Sequence, residues 1–389
     1  MGDPAEENDP PPESRAFSTQ SLPVVNNDFY TTISARKVTP ANLDPRNPLC
    51  LEKKGMSLNA ASWPVVRLVL GVALLLTCSN KSAFAEVKVA LVLDRGGKDD
   101  KSFNSSAFEG ANRAKEKLGI SLKYVEATDD NAFEPLLRGF AQRNFDLIIG
   151  IGFAQKEAIA KVAGQFPKAH FAIVDAQVDA PNVRSLLFDE HEGAYLVGAI
   201  AALSSRSGKV GFVGGMDIPL IRRFALGYES GAKKINPEIT VLVNYVGITS
   251  EAWNNPPKGK ELAVSQYEQG ADVVFAAAGA SGLGVLDAAE EKQKFAIGCD
   301  SNQDWTKPGW ILTSMLKRVD VAVYSAIEEV KAGKFSGGVK HFGLTNKGVD
   351  YSVDDYNSKI LTEPVRQRAE ALKAEIIAGK VIVPDYYKK

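Results

Sequence analysis

Short apolar runs alternate with amphipathic stretches over residues 86–389. Continuous apolar runs are typical of parallel strands covered on both faces, whereas apolar positions three and four residues apart predict helices. The runs predict strands over residues 87–93, 122–125, 147–151, 171–174, 183–188, 210–213, 241–246, 273–277, 295–299 and 311–314. The amphipathic stretches predict helices over residues 104–118, 155–165, 193–203, 224–235, 259–269 and 283–291. Strands that alternate with helices in this way indicate parallel sheets and an α/β fold.

The ten predicted strands could form one wide sheet, but two sheets fit the usual size of a domain better. Domains typically hold roughly 100–200 residues, so we expect two doubly wound parallel-sheet lobes joined by a hinge around a cleft. The first crossing is predicted near residues 189–193 and the return near residues 301–317. The predicted N-terminal lobe holds residues 86–188 and about 315–345. The predicted C-terminal lobe holds residues 189–314 and about 346–389.

The first 55 residues differ in composition from the rest of the chain. They hold eight of the nineteen prolines and show no sustained period, which predicts a disordered extension. Met56 begins a segment that is typical of a complete export signal without anything upstream. A start codon at Met56 would therefore leave residues 1–55 untranslated.

Residues 56–85 are predicted to be an export signal. An apolar run over residues 68–76 is too short to span a bilayer, and Ala83-Phe84-Ala85 fits a cleavage site. Cys78 gives an alternative, because bacterial lipoprotein signals end in a cysteine that is lipidated, although Thr77 is unusual before it. Both alternatives place the mature protein outside the cytoplasm, in the periplasm or on the outward face of the cell membrane.

The composition excludes several classes of protein. Across 389 residues, 46 basic and 47 acidic side chains leave a formal charge of −1, so no overall field attracts nucleic acid. Three cysteines and three histidines are too few for a disulfide framework or a histidine-built metal centre. We therefore expect a globular protein with no cofactor, no metal and no nucleic-acid partner.

Three predicted strands end in aspartate: Asp94, Asp175 and Asp300. Open parallel sheets bind ligands beyond the carboxyl ends of their strands, so these carboxylates are candidate ligand contacts. Each aspartate alone could instead cap the following turn or helix. The repetition favours a ligand rich in hydrogen-bond donors, such as a sugar or a nucleoside.

Four further residues are candidates for the same cleft. Phe103 lies in a polar loop and either stacks on a ligand base or packs onto its own helix. Trp253 lies in another turn-rich loop and either stacks on a ligand or covers core surface. Gly279 follows a strand and leaves backbone N–H groups open to a ligand, and Lys317 follows another strand and could donate to a hydroxyl.

Residue patterns of common enzymes are absent from the sequence. The serines lack a G-x-S-x-G elbow and Cys299 lies inside an apolar run, so no nucleophile is paired with a base. We therefore predict binding without turnover. A ligand-sensing receptor with the same lobes and a nucleoside hydrolase that uses the aspartates on a metal are the alternatives.

Five ordered motifs resemble the basic membrane protein family, which comprises bacterial solute-binding lipoproteins of ATP-driven importers and includes purine-nucleoside receptors. They lie at residues 94–104 (with DDKSFN), 192–198, 208–215, 298–303 and 313–317. The resemblance implies the type I periplasmic-binding fold, in which two lobes close on a nucleoside. It also implies two partners, a purine nucleoside or related small molecule and the permease subunits of an ABC importer, and we expect a monomer.

The resemblance implies roles for individual residues. Asp94 and Arg95 match positions that contact the ligand after the first strand, and Arg95 stands where some members carry an amide side chain. Phe103 matches the family's stacking phenylalanine, and Trp253 is expected to be the second stacking aromatic. Further polar contacts are implied for Asp175, Gly279, Asp300 and Lys317, the last two with ribose hydroxyls.

Overall fold

All ten predicted strands are present in the structure, a computed structural model that describes residues 86–388. The predicted extension over residues 1–55, the export signal over residues 56–85 and the lipidation candidate Cys78 lie outside the described residues. Among residues 86–388, no helix is both long enough and apolar enough to cross a bilayer.

The first lobe is built on an entirely parallel sheet with the strand order β11-β5-β4-β3-β1-β2. Its strands are β1 (Lys88–Leu93), β2 (Ser121–Glu126), β3 (Leu147–Ile151), β4 (His170–Val174), β5 (Val183–Phe188) and β11 (Gly338–Phe342). Its helices are α1 (Phe103–Leu118), α2 (Phe133–Gln142), α3 (Lys156–Gln165) and α8 (Val319–Lys331). Apart from the first residues of β1 and β4, strands β1, β3 and β4 are buried on both faces, which explains their apolar sequences.

The second lobe repeats this order as β12-β10-β9-β8-β6-β7, with β12 antiparallel to β10. Its strands are β6 (Lys209–Met216), β7 (Thr240–Gly247), β8 (Val273–Ala277), β9 (Phe295–Asp300), β10 (Ile311–Lys317) and β12 (Val349–Tyr351). Its helices are α4 (Glu190–Ser204), α5 (Pro219–Ile235), α6 (Pro256–Glu268), α7 (Gly282–Lys292) and α9 (Glu363–Ile377). The shared order makes β4 and β9 equivalent strands of the two lobes.

The chain passes between the two sheets after Phe188, after Lys317 and after Phe342. The second passage comes after β10, since Met315 and Leu316 still pair with both β9 and β12 and Lys317 still pairs with β12. Residues 315–317 thus belong to the second sheet, whereas α8 packs on α1 of the first lobe. These three connections form the hinge between the lobes.

Helices α4 and α5 pack closely because glycines lie where their backbones meet. A Cβ atom added at Gly231 would lie 1.9 Å from the carbonyl oxygen of Tyr195, and one added at Gly198 would lie 2.0 Å from that of Tyr228. Residues 193–201 of α4 are buried without exception. The close packing against α4 therefore fixes the position of the first turns of α5, which line the cavity.

Candidate functional site

A cavity lies where the carboxyl ends of the two sheets face each other. The cavity has a volume of about 550 Å³, including the part that opens to solvent. The predicted residues that line this cavity are Asp94, Phe103, Asp175, Trp253, Gly279, Asp300 and Lys317. Arg95 does not line it. Residues predicted from separate strands and loops are thus brought together from both lobes.

Asp175 and Asp300 occupy equivalent positions after β4 and at the end of β9. Both have left-handed backbone conformations, with φ of 69° for Asp175 and 67° for Asp300. Aspartate and asparagine tolerate this region better than other side chains, and strained backbone of this kind is concentrated at ligand sites. Each lobe therefore presents one carboxylate to the cavity by the same backbone turn.

Three of the four carboxylates that line the cavity keep one oxygen without a protein donor among the described residues. The fourth, Asp100, accepts hydrogen bonds at both oxygens. Asp94 Oδ1 accepts from Gly96 N at 3.0 Å and Asn104 Nδ2 at 2.6 Å, whereas its Oδ2 accepts no hydrogen bond from residues 86–388. Asp300 Oδ2 accepts from Ser102 Oγ of the opposite lobe, which leaves Oδ1. Asp175 Oδ1 is buried without a partner within that range. Buried acceptors of this kind require donors, and a bound ligand can supply them.

Burial changes the protonation of these carboxyl groups. Burial raises the pKa of Asp94 to about 6, although the hydrogen bonds from Gly96 and Asn104 favour the ionised form. Burial also raises the pKa of Asp300, and the charge of Lys317 offsets part of that effect. Asp94 is therefore mostly ionised at neutral pH and becomes protonated in mild acid.

Lys317 ends β10 and carries a buried charge, with 2% of its side chain exposed. Its Nζ lies 2.6 Å from Asp175 Oδ2 of the first lobe and 3.3 Å from Glu190 Oε1 at the hinge. Burial alone would lower the pKa of this lysine, but the surrounding carboxylates, Asp175 first among them, outweigh burial and raise it. Lys317 is therefore a permanent cation that bridges the two lobes.

Aromatic rings cover much of the remaining cavity wall. The rings of Phe103 and Phe224 lie 5.2 and 5.6 Å from Lys317 Nζ. The Trp253 indole lies over Gly215, where a Cβ atom would be 2.2 Å from Cζ3, and meets Phe153 of the other lobe edge-on at 6.4 Å. Flat apolar walls and a few polar groups are typical of small-molecule sites.

Arg95 lies at the rim of the cleft. Its Nη2 is 3.7 Å from Glu251 Oε1 of the second lobe, and its carbonyl oxygen accepts from Asn254 Nδ2 at 3.3 Å. Nearby, Ser250 Oγ donates to Asp130 Oδ2 across the cleft at 2.7 Å. These contacts connect the two lobes at the rim, so the structure shows the lobes in contact across the cleft.

Several residues that line the cavity were not among the candidate contacts: Gly96, Asp100, Asn104, Gly152, Phe153, Leu220, Ile221, Phe224, Ala277 and Cys299. Asp100 and Asn104 belong to the DDKSFN segment, where Asp100 accepts from the backbone of Ser102, Asn104 and Ser105 and so orders the loop. Phe153 follows β3, as the aspartates follow their strands, and this position was the available signal. Phe224 lies on α5, and nothing in the apolar pattern of this helix distinguishes a residue that faces the cavity from one that packs in the core.

Among residues 86–388, no three histidine, cysteine, aspartate or glutamate side chains are grouped as metal ligands. Two lobes of the same strand order, joined by three connections around a cavity at the strand ends, define the type I periplasmic-binding fold.

Residues 87–386 match the Bmp family model, described as PnrA-like ABC transporter substrate-binding proteins. The chain belongs to this family. The family consists of solute-binding components of transporters, which confirms the prediction of a binding protein rather than an enzyme. The resemblance noted from the five motifs is likewise confirmed.

Individual relatives agree with this assignment. A CD4+ T-cell-stimulating antigen of Listeria monocytogenes is 37% identical over 320 residues, covering 76% of this chain and 88% of that protein. The ABC transporter nucleoside-binding protein BmpA of Lactococcus lactis is 35% identical over 322 residues, covering 77% and 89%. A solved solute-binding protein of an ABC transporter system from Aeropyrum pernix K1 is 32% identical, with a TM-score of 0.70 over 76% of this chain and 94% of that chain.

Proposed function

We propose that this substrate-binding protein captures a nucleoside, preferably a purine nucleoside, outside the cytoplasm and delivers it to the permease of an ABC importer. It acts as a monomer and is exported by residues 56–85, either with cleavage after Ala85 or with a lipid anchor at Cys78.

One observation carries this proposal: three carboxylates with free oxygens and a charged lysine share a cavity with four aromatic rings. A ribose supplies adjacent hydroxyl donors for the carboxylates, and a base supplies a flat apolar face for the rings. A free sugar satisfies the first set of groups but makes less use of the rings. The name of the Lactococcus lactis relative, a nucleoside-binding protein, supports the same choice.

The placement of the residues supports the following arrangement. Asp175, Asp300 and Lys317 contact the ribose hydroxyls, with Gly279 backbone beside them, and Asp94 Oδ2 accepts from the edge of the base. Phe103 from the first lobe and Trp253 from the second contact the base faces. Because both lobes contribute contacts, ligand binding favours the closed arrangement that the permease recognises.

A binding screen of residues 86–389 tests this function. Thermal shifts are measured with adenosine, guanosine, inosine, cytidine, uridine and simple sugars, followed by calorimetric titration. A ligand at 100 times its Kd adds roughly 2.7 kcal/mol to the free energy of unfolding. Stabilisation by purine nucleosides supports the proposal. Stabilisation by sugars alone, or by none of these compounds in a folded protein, contradicts it.

Phe103→Ala is expected to weaken nucleoside binding by about 5- to 150-fold, because a stacked aromatic contributes about 1–3 kcal/mol per base. The control is Phe108→Ala on the same helix, whose ring pairs with Tyr124 away from the cavity. Calorimetric titration measures both variants. Equal affinity of Phe103→Ala and the wild type would exclude stacking on this ring.

Nucleoside affinity is expected to fall as the pH drops through about 6, because Asp94 becomes protonated and its carboxylate no longer accepts from the base. The same protonation does not destabilise the ligand-free protein. A carboxyl whose folded pKa is raised binds its proton more tightly when folded, so its contribution to stability increases as the pH falls. Titrations between pH 5 and 8 check this. Burial also raises the pKa of Asp175, so Asp94→Asn should remove only the part of the fall that is centred near pH 6. A profile unchanged in Asp94→Asn would assign the pH dependence to other groups.

A further inference from the structure

The C-terminal segment that follows α9 packs against the beginning of α5. The Asp385 carboxylate, with 7% of its side chain exposed, accepts from Arg223 Nε at 2.7 Å and from Nη2 at 3.0 Å. The Tyr387 ring faces the same guanidinium, with 5.0 Å between its centroid and Cζ. The end of the chain thus holds one buried arginine by a two-point ion pair and a ring.

All five N–H donors of Arg223 have acceptors. Besides Asp385, Nη2 donates to Asp189 Oδ1 at 3.3 Å, and Nη1 donates to Glu190 Oε2 at 2.5 Å and to the carbonyl oxygen of Phe188. Residues 188–190 are the first of the three hinge connections. Arg223 therefore fixes the position of the hinge backbone and of Glu190 together.

From Glu190 the ion pairs continue to the ligand cavity. Glu190 Oε1 lies 3.3 Å from Lys317 Nζ at the second hinge connection, and Lys317 Nζ lies 2.6 Å from Asp175 Oδ2. Charges alternate along the row of Asp385, Arg223, Glu190, Lys317 and Asp175, and none of these side chains has more than 8% exposure. The row ends at Asp175 Oδ1, the buried oxygen without a protein partner in the described chain.

Buried ions of this kind contribute through geometry more than through net stability, since desolvation offsets much of their attraction. We infer that Asp385 is a positioning residue for ligand capture: through Arg223 and Glu190 it holds Lys317 against Asp175, so that the free oxygen of Asp175 faces the ligand. This inference rests on the proposed contacts of Asp175 and Lys317 with ligand.

Asp385→Asn tests the inference, because it keeps the shape of the side chain and removes the charge. We expect guanosine and inosine to bind about 2- to 30-fold more weakly, the range for changes along a coupled network. Asp217→Asn is the matched control. Asp217 forms the same two-point pair with the adjacent Arg222, at 2.6 and 2.9 Å, on the more exposed side of α5. The Asp217→Asn variant should bind nucleoside with an affinity within about two-fold of the wild type.

A double variant separates positioning from general support of the fold. If Asp385 acts through Glu190, then Asp385→Asn should weaken binding little further in a Glu190→Gln background. Additive losses would overturn the inference, as would equal losses in Asp385→Asn and Asp217→Asn. If Asp385→Asn does not fold, Arg223→Lys, which retains the charge but loses the two-point pair, should show the same weakened binding. Wild-type affinity in that variant would overturn the inference.

Ligand-free crystal structures test the positioning role without relying on the proposed function. If the wild type binds no nucleoside, the proposed function fails, and the position of Lys317 Nζ still decides the positioning role. A separation from Asp175 beyond hydrogen-bonding distance in Asp385→Asn supports the role. An unchanged ion pair overturns it.

Discussion

Replacing Lys317 with methionine is expected to abolish measurable nucleoside binding and to lower the free energy of unfolding by about 3–5 kcal/mol. The substitution leaves Asp175 and Glu190 buried without their shared cation. Urea titration of the ligand-free protein measures the loss of stability. The deficit should become smaller in acid, because burial raises the pKa of Asp175 and its carboxyl can then bind a proton instead.

Lys340→Met is the matched control for this prediction. Lys340 also pairs with a glutamate, Glu329, at 3.0 Å, but its side chain is 36% exposed. Exposed ion pairs contribute about 0–1 kcal/mol, so this variant should keep both its affinity and nearly all its stability. A Lys317→Met protein as stable as the control, with wild-type binding, would refute the role of the buried cation.

Gly231→Ala is expected to lower the free energy of unfolding by about 1–3 kcal/mol, and by more if the helices cannot separate. The added methyl group would lie 1.9 Å from the Tyr195 carbonyl oxygen, so α4 and α5 must move apart. Thermal and urea unfolding measure the effect. Because α5 also carries Leu220, Ile221 and Phe224 to the cavity, ligand affinity should fall as well.

Gly164→Ala is expected to have the opposite effect on stability. Gly164 lies near the end of α3 and has open space around a built Cβ atom. Alanine there should stabilise the protein by up to roughly 1 kcal/mol, because it has the higher helix propensity. Destabilisation of both variants to the same extent would show that close packing at Gly231 is not the cause.

The central strands could be predicted because burial on both faces requires apolar side chains, which are visible in the sequence. β3, β5 and β8 coincide at both ends with their predicted ranges, and β3 and β8 are apolar throughout because both of their faces are covered. The edge strand β11 is largely exposed, and β12 has three residues whose register depends on β10. Such strands are defined by tertiary pairing, so local sequence does not reveal them.

The candidate site could be predicted only where topology determines it. Asp94, Asp175 and Asp300 follow strands of parallel sheets, so their common location follows from the fold class. Arg95 shows the limit of this reasoning, because the next residue of the same turn points to the rim and to Glu251. Phe224 could not be predicted, since a helix can present the same apolar face to core and to cavity.

The backbone at Asp175 and Asp300 restricts how a new specificity could evolve or be engineered. At φ of 69° and 67°, most side chains other than asparagine and glycine would add strain to any loss of binding. The neighbouring wall position Leu220 has helical backbone and is only partly buried, so substitution there adds no backbone strain, whereas Ile221 is buried in the core. Libraries that retain the two aspartates and vary Leu220 should therefore yield folded receptors with altered base preference.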